Sequence, residues 1–278
     1  MIVDIQNTHQ SLAIIARRKR LEEKKQPVIP EIQLIRSSSH KKHCFSVCLY
    51  KEKTYTNRFP DRNFEDHYLS EKEKTAEFIK KTKACLRIFS DEEMLETSLQ
   101  FENAEVFLVK DTPEFPFQQH IWRYYSVLFP DKKIKAHHFR GLDNVNKDDM
   151  GLLNNFIDDY DILASPYFAG NLILNQLMPV RGSCSVANKG INLLAEFLKT
   201  KRPEKPTGHN KRVFHNDELF LREWWIKDKD LMSVYFYVDR IHHQNQLNDE
   251  IVFRLKSGLK TNLKINLDIN GPMRSRKK

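Results

Sequence analysis

Ile134-Lys-Ala-His-His-Phe-Arg-Gly-Leu-Asp-Asn144 decides how the chain is read. Its first half, Ile134 to Phe139, has the length and apolar content of a buried strand. Its second half is a loop carrying Arg140 and Asp143. A carboxylate just after a buried strand suits a divalent ion that bridges phosphate oxygens. Mg2+ or Mn2+ takes one or two protein carboxylates and leaves its other positions to water and substrate. Arg140 is a planar donor fork matched to the oxygens of a diphosphate. The same residues have a plainer use, because an Asp at a strand end also caps a following helix. His137 and His138 alternate along the strand, so they face opposite sides of the sheet and cannot chelate one ion together.

Upstream of this stretch, strand and helix patterns alternate. Cys44 to Tyr50 reads as a buried strand, and Glu71 to Thr82 as a charged helix with Ala76, Phe78 and Ile79 inward. Cys85 to Phe89 is the next strand, and Ser90-Asp-Glu-Glu93 reads as a capping box opening a second helix. Ala104 to Val109 is a third strand, and Phe117 to Leu128 an aromatic-rich helix stopped near Pro130. Downstream come a helix over 148–158, the apolar run Asp161 to Ser165, an irregular stretch and a helix over 190–199. A helix follows from His215 to Trp225, with strand candidates at 232–238 and 251–255. The order predicts an α/β fold with a mostly parallel sheet flanked by helices, whose ligands bind outside the carboxyl ends of the strands. Tyr50, Asp91, Asp111 and Asp143 all follow strand ends. Residues 1–40, with a helix over Ser11–Lys25, Pro27, Pro30 and a serine run, read as a basic extension. Residues 41–230 read as the domain, and 231–278 as strands and a basic tail packing on it.

The 278 residues suffice for a sizeable core, and 40% hydrophobic content fits a globular chain. No apolar run approaches the roughly 20 residues of a membrane helix. Met1-Ile-Val-Asp4 lacks the start of a secretory signal, so a cytoplasmic location is expected. Cys44, Cys48, Cys85 and Cys184 fit neither a disulfide framework nor zinc-ligand spacing, and read as reduced structural thiols. The net charge of +9 concentrates in Arg17–Arg20 and Arg274–Lys278, which raises nucleic acid or anionic lipid as partners alongside solvated ends. Neither a GxGxxG turn, a P-loop nor a nucleophile elbow occurs.

Five segments in order resemble bacterial GT-A glycosyltransferase-like proteins, which place a Trp-Arg helix before a strand ending in Arg-Asp-x-Asp-Ser. They are Phe45-Ser-Val-Cys-Leu-Tyr50, Ile121-Trp-Arg-Tyr-Tyr125, Phe139-Arg-Gly-Leu-Asp-Asn144, the glycine-containing Val180 to Gly190, and Asn216-Asp-Glu-Leu-Phe-Leu221. The resemblance spans residues 43–226. It implies a nucleotide-diphospho-sugar transferase fold, a UDP-sugar donor, and Mn2+ or Mg2+ held by Asp143. It further implies donor contacts from Tyr50, Arg123, Arg140, Asn144, Gly182 and Ser183, and acceptor-side catalysis by Asp217 or Glu218. The sequence departs where the first motif Asp is replaced by Gly141, and where a second glycine has become Ser183. These departures leave open a GT-A fold kept only for binding, and the basic ends leave open a nucleic-acid or anionic-lipid binder.

Overall fold

The computed structural model describes residues 28–51, 64–115, 118–148, 150–164, 183–203, 216–228, 231–237 and 265–268. The helix expected over Ser11–Lys25, the strand expected over 251–255, both basic clusters and Gly182 lie outside these residues. Nine strands among the described residues share one sheet: β1 (Glu31–Arg36), β2 (His43–Leu49), β3 (Cys85–Ser90), β4 (Ala104–Lys110), β5 (Ala136–Phe139), β6 (Ile162–Ala164), β7 (Ser185–Ala187), β8 (Val234–Tyr237) and β9 (Ile265–Asp268). Their order is β1-β4-β3-β2-β5-β7-β6-β8-β9. β4, β3, β2 and β5 form a parallel block, and β6, β8 and β9 a second one. β7 runs antiparallel between the two blocks, and β1 is antiparallel at the edge. The mostly parallel α/β architecture read from the sequence is the one observed.

Parallel neighbours require a crossover. α1 (Phe64–Thr82) links β2 to β3, and the short α2 (Leu95–Leu99) links β3 to β4. The remaining helices are α3 (Met150–Asp159), α4 (Asn188–Thr200) and α5 (Asn216–Asp228), with 3-10 helices over Gln118–Leu128 and Leu142–Lys147. Strand alternation on the central strands divides the core. Phe45, Val47, Leu49, Ile88 and Val106 pack with Ile79 of α1 and Leu153 and Phe156 of α3. Phe89, Phe107 and Phe139 point the other way, onto Trp122 and Tyr124, Phe197 of α4, and Leu221 and Trp224 of α5. A sheet covered on both faces explains why its strands read as continuous apolar runs.

Several local readings change. Residues 31–36, placed in the N-terminal extension by their neighbours Pro27, Pro30 and the serine run, form β1 and pair with β4. Arg36 fastens that edge by donating to the carbonyls of Ala104 at 3.0 Å, Leu99 at 2.7 Å and Phe101. On α1 the buried residues are Thr75 and Ile79, whereas Ala76 faces solvent. Lys83, with φ 51°, ends that helix in the left-handed region. The cap of the turn before α2 is Asp91, whose Oδ1 accepts from the Met94 amide at 2.8 Å, because Ser90 still belongs to β3. The aromatic helix is a 3-10 helix buried on almost every side. Gly190 lies where α4 crosses the sheet connection: a Cβ there would stand 2.5 Å from the carbonyl oxygen of Asp161.

All four thiols are free. Burial pushes Cys48 up to about 11 and Cys184 up to about 12. These two thiols are poor nucleophiles and act as small apolar groups, whereas the bond with Cys44 lowers the Cys85 thiol to about 7.

At the amino ends of β2, β4 and β5, His40 bridges two carboxylates. Its Nδ1 is 2.7 Å from Asp131 and its Nε2 is 3.0 Å from Glu105, which also accepts from Arg87 at 2.5 Å. Burial pushes the imidazole pKa down, but the bonds to Asp131 and Glu105 outweigh burial and leave it above 6.5. A folded pKa above the unfolded one gives stability that is full below the unfolded value and lost as pH rises through the folded value. His40→Gln is therefore expected to lower the melting temperature more at about pH 5.5 than at about pH 8.5. An equal loss at both pH values would show that the bridge does not depend on charge.

Candidate functional site

β2 and β5 are parallel neighbours, yet the chain leaves β2 toward β3 on the other side. Their carboxyl ends therefore flank the point where strand order reverses, and loops diverging there leave a crevice. Tyr50 and Lys51 follow β2, and Arg140 to Asn144 follow β5. The Arg140 amide extends the ladder by donating to the Ser46 carbonyl at 3.1 Å, which fixes where the second loop starts.

Asp143 stands in the first turn of the 3-10 helix Leu142–Lys147 and is half-buried. Its Oδ1 accepts from Asn144 Nδ2 at 3.0 Å, and Asn144 Oδ1 accepts from Lys147 at 3.2 Å. The carboxylate is thus at the expected edge, partly open, and among the described residues not spent on a cation. Gly141 precedes the helix without any side-chain cap.

The two arginines expected to meet phosphate are otherwise engaged. Arg140 is buried, and its Nε and Nη2 grip Asp148 at 2.7 and 3.1 Å. Nη1 donates to the carbonyls of Phe139 and Cys184 at 2.8 and 2.7 Å, and Nη2 also donates to Ser185 Oγ at 3.0 Å. Arg123 is buried beside Tyr124 and donates through Nη2 to Asp217. The reason is burial: a guanidinium 8% or less exposed requires a counter-charge within the fold.

Asp217 changes role with its partner. Burial alone would raise its pKa, but the charges of Arg123 and His120, with bonds from Tyr124 and Arg123, hold it below the usual carboxylate value. A buried, paired carboxylate of low pKa is a poor general base. Glu218 is next on α5, with its side chain outside the described residues. Tyr50 is buried, with edge contacts to the rings of His120 at 5.7 Å and Trp122 at 6.1 Å. It supports the wall of the edge and offers little face to a ligand. Ser183 is half-buried just before β7.

His137 and His138 face opposite sides, as strand alternation requires. His137 Nδ1 lies 2.8 Å from Ser126 Oγ, and burial pushes the ring down to about 3. His138 lies between His43 and Ser185 at 3.0 and 2.9 Å, and burial with Arg140 nearby keeps it far below its usual value. Both rings are neutral parts of the core. Trp224 and Trp225 are packed as well.

A cavity of about 720 Å3 opens along the same edge beyond β2, β3 and β4. Lys51, Asp91, Asp111, Phe115, Gln119 and Trp122 are among its walls. Asp111 is held by Arg202 at 3.1 Å and the Trp122 indole at 3.4 Å, while Asp91 accepts from the amides of Lys51 and Met94. Gln119 is buried and its Oε1 has no partner among the described residues. An acceptor left unmet beside a cavity invites a ligand N–H or O–H. The sequence reading missed Gln119, although an amide opening an otherwise aromatic helix was its visible signal. It also missed Asp148, whose spacing from Arg140 is that of a loop closed on itself.

Among the described residues no helix is long and apolar enough to cross a membrane, and no three metal-binding side chains gather. No family model matches the chain and no curated protein matches it. Among solved structures, the chain is similar to a manganese complex of Rv0371C from Mycobacterium tuberculosis H37Rv, at 9% identity and a TM-score of 0.35 over 85% of this chain and 92% of that one. It is also similar to 4-diphosphocytidyl-2C-methyl-D-erythritol synthase from Anaerococcus prevotii DSM 20548, at 7% identity and a TM-score of 0.42 over 79% of this chain and 97% of that one.

Proposed function

We propose that the chain is a GT-A-like, nucleotide-sugar-dependent glycosyltransferase whose donor diphosphate meets Asp143 at the strand-order reversal between β2 and β5. The observation that carries this reading is Asp143 itself: a half-buried carboxylate, with no cation on it among the described residues, just beyond a parallel strand at the sheet's carboxyl edge. The donor set fits Mn2+ or Mg2+ shared with a substrate. One carboxylate is present where the diphosphate and water supply the remaining oxygens, and among the described residues no all-protein cage competes with it. When bound, the ion offsets charge on the departing nucleotide. Asn144 orients the Asp143 carboxylate, and the cavity beyond β2 to β4 takes the remainder of a UDP-sugar. Gly182 and Ser183 flank the donor in this reading, and Glu218 takes the acceptor-side role that Asp217 gives up to Arg123.

A second reading is favoured by one observation. Arg123 and Arg140 both spend their charge on carboxylates, so neither balances a diphosphate. That suits a fold retained for binding a partner and no longer used for transfer.

Calorimetric titration of UDP-glucose and other nucleotide-sugars, with Mn2+ or with chelator, separates the two. The wild type is expected to bind in a Mn2+-dependent way. Asp143→Ala is expected to lose at least about tenfold in affinity at an unchanged melting temperature, as loss of a metal ligand without loss of packing requires. If Asp143 only capped the helix, the variant would lose about 1 kcal/mol of stability and keep its ligand. Binding of CTP but of no nucleotide-sugar would move the assignment to nucleotidyl transfer. A wild type that binds no nucleotide would leave the binding-only fold.

A further inference from the structure

Gly141 has φ −72° and ψ 149°, a conformation open to any residue, so the backbone does not require glycine there. The space does. A Cβ on residue 141 would stand 2.8 Å from Asp143 Oδ1 and 3.5 Å from Asn144 Nδ2. The volume that a side chain at 141 would use is filled by the Asp143 carboxylate, folded back over its own loop. Three restraints keep it so. Asn144 Nδ2 donates to that same Oδ1, the Asn144 amide donates to the Gly141 carbonyl at 2.9 Å, and the loop's two ends are joined by Arg140 and Asp148.

We infer that Gly141 is a positioning residue, whose missing side chain sets the direction in which Asp143 presents its carboxylate to a divalent cation. This rests on Asp143 being the metal-binding carboxylate. The glycine that breaks the Asp-x-Asp pattern is then not a lost ligand, because the surviving carboxylate occupies the vacated place. Restoring Asp at 141 would add no second ligand. It would push the Asp143 carboxylate aside and set a like charge against it.

The obstructing atom is the end of a rotatable side chain, so the cost of a Cβ falls on carboxylate direction and not on folding. The full chain is titrated with UDP in the presence of Mn2+ or chelator. Free Mn2+ is followed by electron paramagnetic resonance, and melting temperatures are recorded alongside. Gly141→Ala and Gly141→Asp are expected to melt with the wild type and to bind UDP in chelator as it does. Both should lose about tenfold or more of the Mn2+-dependent affinity, the usual cost of misdirecting a metal ligand through its supports.

Should a side chain at 141 lower the melting temperature, Asn144→Ala decides alone. It removes the other hold on the same oxygen without adding an atom, and it too is expected to weaken Mn2+-dependent binding. Wild-type affinity for Mn2+ with UDP in Gly141→Ala, or in Asn144→Ala where the first variant is unstable, overturns the inference. Tighter Mn2+ binding by Gly141→Asp does the same. A wild type and an Asp143→Ala variant that bind alike would instead overturn the reading beneath it.

Discussion

Asp217→Ala is expected to cost about 3–5 kcal/mol of stability, the usual result of removing one partner from a buried ion pair. Arg123 and Asp217 are only 8% and 3% exposed, and the Tyr124 hydroxyl donates to the same carboxylate oxygen at 3.1 Å. Without Asp217 the guanidinium would remain in the core with no counter-charge among the described residues, where its Nε already has no partner. The double variant Arg123→Met, Asp217→Leu should recover much of the loss, since replacing both charges with apolar groups of similar volume is often neutral. The effect has a pH signature. Arg123 and His120 overcome the burial that would raise the Asp217 pKa, so its folded value lies below the unfolded one of about 3.9. The stability it contributes is present above that unfolded value and lost as pH falls through the folded value. Urea melts of wild type and Asp217→Ala should therefore differ fully near neutral pH and converge in acid. A variant that keeps its stability and loses only transfer would return Asp217 to the role of catalytic base.

The contrast between fold and site in what the sequence disclosed has a physical origin. Parallel strands buried on both faces leave apolar runs such as Cys44 to Leu49 and Ala104 to Val109, and these are visible without knowing what covers them. β1 was hidden because it is an edge strand: Leu34 and Ile35 are exposed, and the burial pattern has no alternation to detect. β7 is three residues long within a stretch that reads as irregular. Its antiparallel direction follows from its neighbours, not from its composition. The site fared differently. Residue type and position after a strand correctly put Asp143 and Arg140 at the carboxyl edge. What those groups do there depends on partners far away in sequence, as with Arg123 and Asp217, 94 positions apart. A buried arginine and a phosphate-binding arginine look alike until the carboxylate that answers them is known. The Gly141 substitution is the sharpest case. In the sequence it is a departure from the first Asp of the motif that the resemblance implies, and only the fold of the next two residues reveals what fills the space beside it.

Arg140→Met is expected to have the other large effect, again about 3–5 kcal/mol, because it breaks the ion pair to Asp148 in a site where that side chain is 4% exposed. The consequences extend past the ion pair. Ser185 Oγ receives an N–H from Arg140 at 3.0 Å and lies 2.9 Å from His138 Nδ1. His138 Nε2 lies 3.0 Å from His43 Nδ1, and His43 Nε2 lies 3.0 Å from Asn154 Oδ1. Only one direction of donation satisfies every member. Asn154 Oδ1 accepts, so His43 donates through Nε2 and accepts at Nδ1; His138 then donates through Nε2 and accepts from Ser185. Arg140 starts this chain, and burial together with its charge keeps His138 neutral, as the chain demands. Losing the guanidinium frees Ser185 to rotate and allows the His138 pKa to rise. Denaturant melts should record the stability loss, and imidazole NMR should place the His138 titration higher than in wild type. Arg140→Lys keeps the charge without the fork, so it should hold His138 low while recovering only part of the stability. A loss below about 1 kcal/mol in Arg140→Met, within the range of an exposed pair, would mean that the loop carrying Asp143 is held by its own short helix and not by this clamp.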